Sequence, residues 1–253
     1  MKRFSLKNAV LATTTFLVIT SCESTTKEDT PSDLDTNSTP TSDTLISIEE
    51  EEVSYLFDTI SFNITEAEKE KITKLYATQD PGDFTFVDPN ELATAEEQHQ
   101  YLIDQESYLW NKLAFYEREK FVSLDRMIEE IELNQNATSE VIDSIKLYTK
   151  KLKSLYLDRE AISDPSKIIY DEMNVDIINK IYSLADGIEN MEGFQTYNYM
   201  KEVVDSLDNS VILSYRLAHP DAIHAYNSFV TRFESELKEK GLSTDLIKEW
   251  AVE

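Results

Sequence analysis

From Thr65 onward the apolar residues of this chain recur at steps of three and four, the period of one helix face rather than of a strand. Thr65 and Glu68 form a capping-box pair, opening a helix predicted to reach about Thr78 with Ile72, Leu75 and Tyr76 inward. Asp80-Pro81-Gly82-Asp83 breaks it, and Phe84 to Pro89 reads as a loop. Asn90 to about Asn134 then runs without proline or glycine, with Leu102, Leu109, Leu113, Tyr116, Leu124, Met127 and Ile131 along one stripe. Unbroken, that helix would be about 65 Å long at 1.5 Å per residue. A compact 200-residue domain has a radius of gyration of only about 17 Å, so the pattern predicts an elongated bundle.

Further helices follow the same logic. A start near Thr138 leads into a near-heptad seam of Val141, Ile145, Tyr148, Leu152, Leu155 and Ile162. Asp164-Pro165 supplies a cap and a first-turn proline for the next helix. Its stripe is Ile169, Met173, Ile177, Ile181, Leu184, Ile188 and Met191, ended by Gly193. Phe194 to Ala218 places Tyr197, Met200, Val204, Leu207, Val211 and Tyr215 inward. Pro220 is expected to restart the chain, with Ile223, Tyr226, Val230, Phe233 and Leu237 inward as far as the C-cap Gly241. A last short helix is expected from Ser243, carrying Leu246, Ile247 and Trp250. Short connections between long helices imply antiparallel neighbours. The predicted fold is all-α, an elongated antiparallel helical bundle following a disordered N-terminal tether, and no repeat period emerges. Residues 44–63 fit two patterns. Ser47 and Glu50 form a capping box for a helix through Phe57, yet Val53, Tyr55 and Phe57 also alternate as in a strand; helix, then an extended Ile60 to Ile64, is the preferred reading.

The N-terminus follows another pattern. Lys2, Arg3 and Lys7 precede a mostly apolar run from Ala9 to Thr20, too short to span a bilayer stably and flanked like an export signal. Ile19-Thr20-Ser21-Cys22 closes it. These four residues resemble the lipobox of bacterial lipoproteins, in which small residues precede an invariant cysteine. The resemblance implies a signal peptide over 1–21, a covalent lipid on Cys22, and Cys22 as first residue of the mature chain. Cys22 is the single cysteine, which excludes an intramolecular disulfide. Two or three acyl chains, at about 0.8 kcal/mol per buried CH₂, would anchor the protein durably. Residues 22–44 are rich in Ser, Thr, Asp and Glu and hold almost nothing apolar, so they are expected to be a disordered tether to the domain of residues 45–253. Within it, Lys27-Glu28-Asp29 resembles the short charged tag that sends some lipoproteins to the exterior of the outer membrane. That implies a lipid-anchored, surface-exposed location, with the periplasmic face as the alternative.

Charge narrows the partners. The chain has 24 basic and 49 acidic residues, a net −25. Without Lys2, Arg3 and Lys7 the mature chain carries 21 against 49, a net −28. Nucleic-acid binders need basic surface to displace counterions, so no nucleic acid is expected. Four glycines leave little scope for phosphate-cradling loops, and the chain holds no H-E-x-x-H, P-loop, dinucleotide or G-x-S-x-G motif.

Two groups of residues have the composition of a metal site. Glu96 and His99 stand at the i, i+3 spacing used by di-metal carboxylate bundles, although they also fit a solvated helix start. His219, Asp221 and His224 combine imidazole and carboxylate ligands suited to zinc or copper, or else form a helix-start cap with an exposed histidine. Among thirteen tyrosines and two tryptophans, Tyr101, Trp110 and Tyr199 fall off the main apolar stripes, which makes them the expected contact surface. The leading expectation is a non-enzymatic binding or scaffolding lipoprotein of the bacterial envelope, without cofactor beyond its lipid, that meets a protein, peptide or glycan. The alternative is a metal- or cofactor-binding bundle using His219, Asp221 and His224.

Overall fold

In a computed structural model the described residues are 63–251, apart from 157, 160 and 164 and the side chains of 165–172. The expected signal peptide with Cys22, the tether of 22–44 and the helix-or-strand segment up to Phe62 lie outside the described residues. Those described contain helices and no strand, as the sequence periodicity predicts.

Among the described residues six α-helices follow one another: α1 Glu66–Tyr76, α2 Ala95–Leu133, α3 Ser139–Ser154, α4 Pro165–Asp186, α5 Gln195–Ser206 and α6 Leu213–Glu239. The capping chemistry sets the starts. The Thr65 hydroxyl accepts from Glu68 N while the Glu68 carboxylate accepts from Thr65 N. Thr94 and Glu97 repeat this reciprocal pair at the head of α2, one turn later than the apolar pattern alone suggests. Gly241, at φ +69°, ends the α6 region; the N–H of Leu242 reaches back to the Leu237 carbonyl at 2.9 Å, a left-handed cap that glycine adopts without strain.

Helix α2 is a single unbroken element of 39 residues, about 58 Å at 1.5 Å per residue, and the other elements are laid along it. The chain from Asn190 to Ser243 runs back over its whole length. Contacts pair Asn134 with Glu189, Lys120 with Asp208, Glu117 with Arg216, Glu106 with His219, and His99 with Ser243. Helix α3 is antiparallel to α2 as well, with Lys146 beside Glu132 and Lys153 beside Asp125. Helices α4 and α5 are laced by Tyr182 donating to Asp205 (2.9 Å) and Tyr197 to Asp186 (2.6 Å). The apolar interior runs through Leu124, Met127 and Ile131 of α2, Ile145 and Leu152 of α3, and Ile177 and Ile181 of α4, each fully buried.

Five expectations need correction. The seam through Val141 and Leu152 does not continue to Ile162, because α3 stops at Ser154 and Ile162 sits in a separate short 3-10 turn. Helix α4 ends at Asp186, ahead of Gly193: Gly187 follows it, and Asn190 (φ 64°) opens a separate 3-10 turn over Met191–Gly193. Pro220 does not restart the chain but lies inside α6. A π turn, Leu207–Ile212, joins α5 to α6 and lets one residue more than an α turn pass. The inward register therefore slips after Leu207, which packs against the core as expected: Ile212 is buried where Val211 was expected, and Asp208 also turns inward to face Lys120. Lastly, residues 242–251 form no helix. They are an extended strap held by side chains: the Asn227 amide donates to the Ile247 carbonyl (2.8 Å) and accepts from the Ile247 N–H (2.9 Å). With both main-chain groups of Ile247 engaged by Asn227, the helical bonds expected there are not made.

Candidate functional site

Charged side chains interrupt the apolar stripe of α2 at Glu106, Glu117 and Lys120, all of which are buried. Each is neutralised from a neighbouring element. Lys120 Nζ lies 2.9 Å from Glu117 Oε2 and 2.8 Å from Asp208 Oδ1, and Arg216 holds the other Glu117 oxygen at 2.6 Å. Burial pushes the Glu117 carboxyl up, but Lys120 and Arg216 outweigh it and hold the group below its ordinary range. For Lys120 burial pulls the ammonium down, and Glu117 with Asp208 more than reverses that. The π turn is what brings Asp208 into this cluster.

Three turns away, Glu106 accepts from the Arg159 guanidinium and from His219 Nε2 at 2.8 Å. The indole N–H of Trp250 donates to His219 Nδ1 at 2.9 Å. An indole can only donate, so Nδ1 offers its lone pair and Nε2 carries the proton given to Glu106. The carboxylate–imidazole couple is of the kind that orients a general base, yet here the outward nitrogen is occupied by Trp250 and the ring is fully buried. Its role is to pin the strap, along with the bond from Ala251 N–H to the Ile162 carbonyl (2.9 Å).

The sequence-based site residues therefore scatter. His219 faces inward with both nitrogens engaged, while Asp221 and His224 are exposed on the other side of α6. His99 is buried, not solvated; its Nε2 meets the Ser243 carbonyl at 2.9 Å and its ring packs against Tyr226. Glu96 turns away to pair with Lys240 at 2.6 Å. Among the described residues no group of three or more His, Cys, Asp or Glu is placed to hold a metal ion. Of the aromatic residues expected at the surface, Tyr199 is 60% exposed, whereas Trp110 is buried with Leu113, Ile162, Ile212 and Ile223. Tyr101 is half-buried, its hydroxyl accepting from Val87 N–H at 3.0 Å and its ring against Phe84. Trp110 lies off the α2 stripe because the strap and the 3-10 turn cover a second face of that helix.

Sequence reasoning passed over a groove of about 630 Å³ between α1, α2 and α3. Ile64, Ile72 and Ile128 line it together with Asp125, Glu129 and Glu132 from α2 and Lys146, Lys150 and Lys153 from α3. A signal existed: both charged triplets stand at i, i+4, i+7, with opposite signs on consecutive helices. Among the described residues no helix is long and apolar enough to cross a membrane. Comparison with protein-family models, curated proteins and solved structures gives no match to this chain.

Proposed function

We propose that this protein is a lipid-anchored, non-enzymatic binding protein of the bacterial cell envelope, displayed on the exterior of the outer membrane through a lipid on Cys22. The observation that carries the binding reading is the groove between α1, α2 and α3, with charged side chains of both signs above an isoleucine wall. The buried polar groups support it by exclusion of a different use: Glu106, His219, Glu117 and Lys120 are all engaged in holding elements to α2. The anchor rests on the Ile19-Thr20-Ser21-Cys22 resemblance, and the exterior location on Lys27-Glu28-Asp29.

Chemical cross-linking on intact cells carrying the tagged protein tests this reading. A discrete envelope partner captured by the wild type and lost with Cys22→Ala is the expected result. Equal membrane retention of the Cys22→Ala chain would overturn the anchor, and capture of nothing above background would overturn an envelope protein as the bound partner.

A further inference from the structure

On the α2 wall of the groove the acids Asp125, Glu129 and Glu132 stand in register with Lys153, Lys150 and Lys146 of antiparallel α3, making three rungs of opposite charge. The outer two rungs are closed, Lys153 on Asp125 at 2.5 Å and Lys146 on Glu132. The middle rung is open. Glu129 and Lys150 are both exposed and make no ion pair or hydrogen bond among the described residues. Reach is not the cause, because the same side-chain types at the same spacing close above and below. Next to Lys150, Thr149 is only 2% exposed, lines the groove, and its hydroxyl has no hydrogen-bond partner among the described residues. A buried hydroxyl left unpaired costs about 1–3 kcal/mol, a cost relieved if the Thr149 side chain turns its hydroxyl, closed to solvent as it stands, onto a polar group bound in the groove.

We infer that the open rung is the seat of a short zwitterionic peptide, its ammonium on Glu129, its carboxylate on Lys150 and a main-chain group on the Thr149 hydroxyl. The inference rests on the binding reading above and names the ligand class of that groove. Apolar side chains of the peptide would lie on Ile64, Ile72 and Ile128. Of the four lysines lining the groove, Lys69, Lys146 and Lys153 are already paired with Glu66, Glu132 and Asp125, so a purely anionic ligand would meet Lys150 alone beside the open Glu129 and against a net chain charge of −25. A glycan is disfavoured because no aromatic ring among the described residues lines the groove to stack on a sugar face.

The test is an NMR titration of the full chain, held in lipid nanodiscs, with the free tripeptide alanyl-leucyl-alanine. Shifts should centre on Ile72, Ile128, Thr149 and Lys150, and blocking both termini (N-acetyl, C-amide) should weaken binding at least tenfold. Glu129→Lys and Lys150→Glu should each weaken it at least tenfold, whereas the double exchange, which restores opposite charges with reversed polarity, should recover most of the affinity. Both positions are exposed, and unchanged amide spectra of the apo variants verify folding. Equal binding of the blocked peptide, binding of chitotriose at the same residues, or no groove shifts at millimolar peptide would each overturn the inference. Capture of an envelope partner by a chain whose groove ignores the tripeptide would overturn this inference alone and leave the binding reading standing. Groove shifts without any captured partner would support the ligand class while removing the envelope partner.

Discussion

Replacing Lys120 with methionine tests whether the buried charge cluster holds the π turn onto α2. Methionine keeps most of the volume and removes only the charge. Glu117 then retains Arg216 as its partner, but Asp208 loses the ammonium at 2.8 Å. Removing one member of a buried pair costs about 3–5 kcal/mol, because the remaining charge stays desolvated without its counterpart. The surviving Arg216 contact and the partial exposure of Asp208 place the expected loss at the lower end, about 3 kcal/mol. The pH dependence is distinctive. The Glu117 carboxyl lies below its ordinary 4.5, so its contribution is complete above pH 4.5 and is lost as pH falls through the depressed folded value. The Lys120 ammonium lies above its ordinary 10.5, so its contribution is complete below pH 10.5 and is lost as pH rises through the elevated folded value. Urea unfolding followed by circular dichroism at 222 nm should therefore show the full penalty at pH 7 and a smaller one at pH 3, below the ordinary Glu117 value of 4.5. A penalty under about 1 kcal/mol at pH 7, or one unchanged between the two pH values, would refute the assigned role.

Three other variants probe other links. Asn227→Ala removes both bonds to Ile247, at about 0.5–1.5 kcal/mol each, and should accelerate hydrogen exchange of the Ile247 amide about tenfold or more while leaving α4 protected. Pro220→Ala restores an N–H that can donate to the Arg216 carbonyl within α6, and should stabilise the protein by about 1–3 kcal/mol, read as a higher Tm; a lower Tm would show that the proline ring packs usefully. Thr94→Ala deletes the hydroxyl half of the α2 capping box and should cost about 0.5–2 kcal/mol in urea unfolding at constant m-value.

The helical architecture was legible because it rests on local signals. Thr65 with Glu68 and the left-handed Gly241 act through their nearest neighbours, and the apolar stripe of α2 survives over ten turns. What escaped depends on partners far away in sequence. Glu106 and Lys120 looked like gaps in a stripe, since nothing local says that Arg159, His219 or Asp208 will arrive to neutralise them. Ser243 to Trp250 has the spacing of a short helix, but Asn227 and His219 draw it out as a strap. Pro220 reads as a breaker by propensity, and tertiary packing of Ile223, Tyr226 and Val230 against α2 overrides that preference. The same distance effect separated the histidines: the reading of His219 as a ligand treated it as a neighbour of His224, whereas its partners are 113 residues before it and 31 after.

The way the last residues lie across the first long helix also bears on the order in which the molecule can mature. Helix α2 emerges from the ribosome early, yet His99 and Glu106 meet their partners only when Ser243 and His219 have been made, and Trp110 is walled in only once Trp250 exists. Until synthesis passes Ser243 and Trp250, helix α2 has no finished partner surface. Contacts of such long sequence separation form slowly. The central helix is therefore made long before it can be covered, so the fold closes in one late event rather than growing outward from α2.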